Sequence, residues 1–288
     1  MNPLSEVFGF PPSDCSPKAI RYRKNKLCPY NNIIPNCTKD KANDPLGVCS
    51  INHEGAPVIT CPVRFREDWL ITDDAADFFF PDCTDWTSLT EVRLVDYYEK
   101  SAGNIDVVLA AYNSDGHVYD FCSLEIQAVY ISGNIRDPFK AYMADYKNQS
   151  NFDWSGQPKY PRPDYLSSSR KRLAPQLLFK GGILHAWNKK MAVALNKGFF
   201  ETLPTLKPVS KEEAEIAWLI YDLEPDQTKL ILKKVDIIYT KFKNALDSIT
   251  KSKPGNIDAF MNILQNKVDK KLETPPVNKT IENPIESE

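Results

Sequence analysis

The chain has no run approaching the roughly 18 apolar residues of a membrane span, only three histidines, and no internal repeat. Its start, Met1-Asn-Pro-Leu-Ser-Glu-Val-Phe8, lacks the basic and apolar regions of a secretory leader. A cytoplasmic protein without membrane contact is therefore expected. So few histidines leave little room for His-rich metal sites or extended histidine chemistry. The seven cysteines are odd in number and include no paired C-x-x-C knuckle; in a reducing compartment they suggest metal-binding or structural thiols sooner than a disulfide framework. What is present suffices for a sizeable core: 288 residues, 42% of them apolar. A chain of this length removes about three quarters of its unfolded surface from water, which excludes disorder for most of it.

Charge is balanced overall, with 36 Lys+Arg against 38 Asp+Glu and a net charge of -2. The balance breaks locally. Between Pro158 and Lys197 nine basic residues face a single acid, Asp164, a local charge of +8. Lys18, Arg21, Arg23, Lys24 and Lys26 form a second basic stretch. Clustered cations in a neutral protein are what binding to a phosphate backbone requires, because each neutralised phosphate releases counterions; a solvated basic face has the same composition.

Residues 1–65 hold five of the seven cysteines and many turn-forming residues. They are expected to form a loop-rich module held by something other than a core. Ile105–Tyr112 and Ser123–Ile131 are rich in β-branched and aromatic residues, and Asn113-Ser-Asp-Gly116 separates them, which predicts an antiparallel hairpin near the centre of the fold. Residues 146–168 read as a long surface loop. Pro175–Leu195 carries a helical stripe that includes Leu177, Leu184 and Met191. Ser210 and Glu213 have the spacing of a capping box before Ile216. Pro225 suits the first turn of a helix with Ile231, Val235, Ile238 and Phe242 at intervals of three and four, and residues 257–272 offer a further helix. The last sixteen residues are expected to be a disordered tail.

Two groups of residues carry chemistry. Glu125 and Gln127 leave the same face of the second strand, and Asp106 interrupts an apolar run on the first. An acid in a strand that otherwise reads as buried is costly unless a partner or metal compensates it. Two carboxylates converging from adjacent strands would offer Mg²⁺ the hard oxygens it prefers and leave positions for water and a phosphate oxygen. Gln127 would orient water or phosphate without bringing a charge, and Glu91 could add a third carboxylate. Edge-strand solubility residues or a structural ion pair would read the same way. The second group is Cys28, Cys37, Cys49 and Cys61: four thiolates within 34 residues can close a tetrahedral site, and iron and zinc both accept four sulfurs. Independent reduced cysteines are the plain alternative.

In chain order the segments are Cys-Pro-Tyr at 28, Cys-Thr-Lys at 37, Gly-Val-Cys at 47 and Cys-Pro at 61. Glu-Val-Arg-Leu at 91, Asp106, Leu-Glu-Ile-Gln at 124, His185-Ala-Trp-Asn-Lys-Lys190 and Ala217-Trp-Leu-Ile-Tyr-Asp-Leu-Glu-Pro-Asp226 follow. Together they resemble the NotI family of type II restriction endonucleases, in the PD-(D/E)XK nuclease superfamily, over about Cys28 to Asp226. The resemblance implies an α/β (α+β) fold with a mixed central β-sheet flanked by helices at 66–272, behind a four-cysteine metal module at 1–65, in a prokaryotic cytoplasm. It implies a homodimeric, Mg²⁺-dependent enzyme that cuts both strands of double-stranded DNA at a short palindromic site, with a DNA methyltransferase encoded nearby. By position Asp106 and Glu125 match the Mg²⁺-binding acids, Gln127 the residue replacing the superfamily's lysine, and Glu91 the additional acid. Cys28, Cys37, Cys49 and Cys61 match the ligands of a structural iron, zinc remaining open. Arg162, Arg170, Lys171, Arg172, Lys189 and Lys190 are candidate DNA contacts. Two other readings stand beside this one: a non-catalytic DNA-binding protein built on the metal module, and a PD-(D/E)XK nuclease of DNA repair or RNA processing.

Overall fold

The cysteine-rich segment is built on a three-stranded antiparallel sheet, β1 (Leu4–Val7), β2 (Val48–His53) and β3 (Ala56–Ile59), in the order β1-β2-β3. The sequence suggested loops rather than a sheet here. Strands of four to six residues are too short to show a period among the turn residues around them. Between β1 and β2 lies the helix Pro17–Lys24, started by Ser16, whose Oγ accepts from the Ala19 N–H at 3.2 Å, and by Pro17 in the first turn. The computed structural model describes residues 1–31, 34–41 and 43–273; the expected tail beyond residue 273 lies outside them.

The main sheet has six strands. Its members are β4 (Trp86–Val95), β5 (Ser101–Tyr112), β6 (Val118–Gln127), β9 (Met191–Asn196), β10 (Ile216–Asp226) and β11 (Lys229–Thr240). The short strands β7 (Tyr130–Ser132) and β8 (Arg162–Asp164) pair separately. The spatial order is β11-β10-β9-β6-β5-β4, with β9 parallel to both neighbours and every other pair antiparallel. The β5–β6 hairpin forms as expected. Its turn is held by Asn113, whose Oδ1 accepts from the Asp115 and His117 N–H groups at 3.2 and 2.8 Å, and by Gly116 at a φ of 76°.

Three expected helical segments fold differently. Residues 165–186 are helical, but the helix ends before β9, which the sequence had continued as helix to Leu195. Asn188 in the left-handed conformation (φ 56°) and the Lys189 N–H to Leu184 O bond of 2.8 Å close it. Ser210 makes a turn contact with the Glu213 N–H at 3.4 Å, and no helix follows. Residues 216–240, read as helical, are instead the β10–β11 hairpin. Residues 242–250 and 257–273 are helices.

Each face of the sheet is covered. Leu124, Ile126, Ala192, Ala194, Ala217 and Leu219 pack with Ile71, Ala75 and Phe78 of the helix Leu70–Phe79. Val193, Leu195, Trp218 and Ile220 pack on the other side with Leu173, Leu177 and Leu184 of the 165–186 stretch, together with Val7, Val48 and Ile51 of the N-terminal sheet. Residues 1–250 form one compact unit and 251–288 another, whose described helix Ile257–Glu273 buries none of its residues. Among the described residues no helix is long and apolar enough to cross a membrane.

Candidate active site

The register Val107↔Leu124 makes Asp106 of β5 and Glu125 of β6 the next opposed positions, and residues directly across an antiparallel pair share a face. The backbone ladder stops there. The Ile126 N–H donates instead to Asp106 Oδ2 at 2.8 Å. On the far side of β5, Thr90 pairs with Val107 and Val92 with Ile105, so Glu91 of β4 stands opposite Asp106 with a left-handed φ of 56°. Three acids thus line up across three strands where two ladders are interrupted. Glu91, Asp106, Ile126 and Arg172 border an open cleft of about 820 Å³.

Glu125 is the buried member, 1% exposed. Burial lifts its carboxyl to about 8, the negative charge of Asp106 adds to the rise, and the Lys180 ammonium opposes both. Lys180 Nζ donates to Glu125 Oε2 at 2.7 Å and to the Asn104 carbonyl at 2.5 Å. Gln176 Nε2 donates to the same Oε2 at 2.9 Å, and Gln127 Nε2 donates to Gln176 Oε1. Glu125 Oε1 and Gln127 Oε1 are buried and, among the described residues, accept nothing. Arg172 Nη2 lies 3.2 Å from the Ile126 carbonyl and 3.9 Å from Asp106 Oδ2.

The residues that meet the acids come from the 165–186 stretch at intervals of four: Arg172, Gln176 and Lys180. Asp164 starts this stretch, its carboxylate accepting from the Ser167 N–H at 2.9 Å, a bond that holds the carboxyl below its usual range. Wide π-helical turns at Ser169–Leu173 and Leu177–Gly181 flank Pro175. Proline has no N–H and its ring crowds the carbonyl four residues back, so a locally widened helix accommodates it.

Of the candidates in the sequence, Glu91, Asp106 and Glu125 stand opposite one another and Gln127 joins them through Gln176. Gln176 and Lys180 were not among those candidates. Their signal was a polar side chain every fourth residue inside an apolar stripe, legible only once the stripe is known to cover Glu125. Of the candidate DNA contacts, Arg162, Arg170 and Lys171 are exposed near the start of the helical stretch, whereas Arg172 turns toward Asp106. Lys189 pairs with Asp120 at 2.5 Å, and Lys190 lies 4.6 Å over Phe78 on the opposite face of the sheet.

Cys28, Cys37, Cys49 and Cys61 all border one small pocket with Lys39, Tyr30 and Arg64, and none is in a disulfide. Burial pushes the Cys28 thiol up to about 11 and raises Cys37 and Cys49. Lys39 Nζ donates to the Val48 carbonyl at 2.6 Å and to Thr60 Oγ1 at 3.2 Å; burial lowers its pKa, against the charges of Cys61, Cys49 and Cys37. Cys15 and Cys83 are exposed, and Cys122 is buried on β6 opposite Leu109 of β5, with its thiol 3.7 Å from the Leu109 carbonyl. Among the described residues, no three His, Cys, Asp or Glu side chains stand in the arrangement of a bound metal. The four cysteines nonetheless line one pocket.

No curated protein matches the chain. The family model described as restriction endonuclease NotI matches residues 15–233, a span that contains the four pocket cysteines, the three aligned acids and the helical stretch over Glu125. The chain therefore belongs to the NotI restriction endonuclease family and is, by that membership, a nuclease that acts on DNA.

Proposed function

We propose that the protein is a Mg²⁺-dependent type II endonuclease that hydrolyses both strands of double-stranded DNA at a short palindromic site, acting as a homodimer. The observation that carries this reading is the opposition of Asp106 and Glu125 at the end of the β5–β6 ladder, with Asp106 on the border of an open cleft and Glu125 buried behind it. Their oxygens are hard donors of the kind Mg²⁺ prefers, and the buried Glu125 Oε1, which accepts no hydrogen bond among the described residues, fits a cation better than an apolar packing role. Asp106 and Glu125 would hold the ion, which supplies polarisation of the scissile phosphate and a more acidic attacking water. Glu91 adds negative charge at the cleft wall, and Gln127 anchors the amide chain that leads to Glu125. Arg172 sets a fixed cation at the cleft, where a phosphate would meet it.

The exposed Arg162, Arg170 and Lys171 extend this positive edge as contacts for the DNA backbone, with Lys189 and Lys190 further off. For the cysteine pocket we propose a structural iron, or zinc, bound by Cys28, Cys37, Cys49 and Cys61. The support is that four sulfurs share one pocket and match the donor set such metals take. A nuclease of this kind would also need its own genome protected, which is the place of a methyltransferase encoded nearby.

Digestion of plasmid or phage DNA by the purified protein in Mg²⁺, with sequencing of the ends, tests the reading. Discrete fragments with one end sequence are expected. Asp106→Ala should lower cleavage by at least about a hundredfold while DNA binding in Ca²⁺ persists, and full activity in this variant would remove the proposed site.

A further inference from the structure

Glu125 has two oxygens with different fates. Oε2 accepts from Lys180 Nζ at 2.7 Å and from Gln176 Nε2 at 2.9 Å. Oε1 is buried and, among the described residues, accepts no hydrogen bond. Lys180 is itself fixed by the Asn104 carbonyl at 2.5 Å, on the same strand as Asp106, and its Cε passes close to Gly103, where an added Cβ would lie 3.6 Å away. A lysine that is only 6% exposed, threaded past a glycine and held at two acceptors, is not a solvated surface cation. Gln176 is held in turn by Gln127, so both donors to Oε2 are braced by the sheet.

The geometry points to Lys180 and Gln176 as positioning residues that occupy Glu125 Oε2 so that Oε1 is the oxygen presented to the metal beside Asp106. The assignment rests on Asp106 and Glu125 being the metal pair. Neither helical residue is asked to touch the ion or the DNA. With Oε2 anchored, the carboxylate cannot turn its plane, and the metal meets one ligand oxygen in one orientation. Donors that anchor a ligand's other atom are known to set metal affinity by factors of ten to a hundred.

The test uses the full chain and two readouts. The first is Mn²⁺ binding by calorimetry, which needs no activity; the second is the Mg²⁺ concentration for half-maximal single-turnover cleavage at saturating DNA. Lys180→Met should weaken Mn²⁺ binding and raise the Mg²⁺ midpoint by at least about tenfold, with DNA affinity unchanged. Lys180→Arg, which can still donate to Oε2, should recover most of the loss. Should Lys180→Met fail to fold, Gln176→Leu should shift the Mg²⁺ midpoint in the same direction. Wild-type Mn²⁺ affinity and Mg²⁺ midpoint in Lys180→Met, in a protein that cleaves and is silenced by Asp106→Ala, would overturn the positioning role alone. A wild-type chain that neither binds Mn²⁺ nor cleaves would overturn the acid pair and this assignment with it.

Discussion

At the scale of single residues, the site is defined by carboxylates that the fold places at a disadvantage. Glu125 is lifted to about 8 by burial and by Asp106, against the pull of Lys180, so the metal-free protein holds a proton there at neutral pH that the unfolded chain has lost. A raised carboxyl pKa means that folding becomes less favourable as pH rises from the unfolded value near 4.5 to about 8. A cation binding Glu125 must displace that proton. Metal affinity is accordingly expected to rise by about tenfold per pH unit up to about 8 and then level off, with proton release visible as a buffer-dependent calorimetric heat. A pH-independent affinity between 6 and 8 would contradict it. Glu91 shows the same disadvantage in its backbone, with a φ of 56° at the ladder interruption. Glu91→Gly should stabilise the fold by about 0.5–1 kcal/mol, since glycine accepts that conformation without a Cβ clash. If Glu91 serves the cleft, cleavage falls in the same variant. Asp106 was legible in sequence because it breaks an apolar strand pattern, and Glu125 because it leaves the same strand face as Gln127. Lys180 was not, since nothing in a basic run marks which lysine is folded inward.

At the scale of elements, the hairpin around Asn113 was readable from β-branched and aromatic residues flanking a turn cluster, whereas the strands near the sheet's middle were not. Met191–Asn196 and Ile216–Tyr221 are buried on both faces and show continuous apolar runs instead of alternation. β11 misled differently. Ile220 pairs with Asp236 and Tyr221 with Lys234, so Val235 is an extra, bulged residue. Leu230 and Leu232 before it, and Ile237 and Tyr239 after it, face the same core cluster. This change of parity turns a period of two into spacings of three and four that imitate a helix. The hairpin carries one side-chain tie that can be tested: Trp218 Nε1 donates to Thr240 Oγ1 at 3.0 Å, and both residues are fully buried. Thr240→Val keeps the shape and strands the indole N–H, so unfolding in urea should show a loss of about 1–3 kcal/mol with an unchanged slope. Thr240→Ser should keep most of the stability.

At the scale of the whole molecule, the N-terminal sheet and the six-stranded sheet are joined through a buried charge cluster. Arg64 Nε meets both oxygens of Glu6 on β1 at 3.0 Å, Nη1 meets Glu67 at 2.8 Å, Nη2 meets the Leu230 carbonyl of β11 at 3.1 Å, and the guanidinium lies 4.3 Å over the Tyr30 ring. Glu6 and Arg64 have no exposed side-chain surface. Such a pair is held by geometry rather than by net gain, and removing one partner leaves an uncompensated charge at a cost of about 3–5 kcal/mol. The cysteine pocket shares Arg64 and Tyr30 with this cluster and so adjoins the joint between the two sheets. The second unit has no such buried cluster among its described residues. In the helix Ile257–Glu273, Ile257, Phe260, Met261, Ile263, Leu264, Val268 and Leu272 are all exposed, and none of its residues is buried. A helix that buries none of its residues contributes little to cooperative unfolding. A chain ending at Thr250 should therefore keep its melting temperature to within about 2 °C, the shift that well under 1 kcal/mol produces in a unit of this size. It should also be more soluble, since a stripe of exposed apolar side chains has been removed. A drop of ten degrees in that truncation would mean that residues 251–288 belong to the folding unit after all.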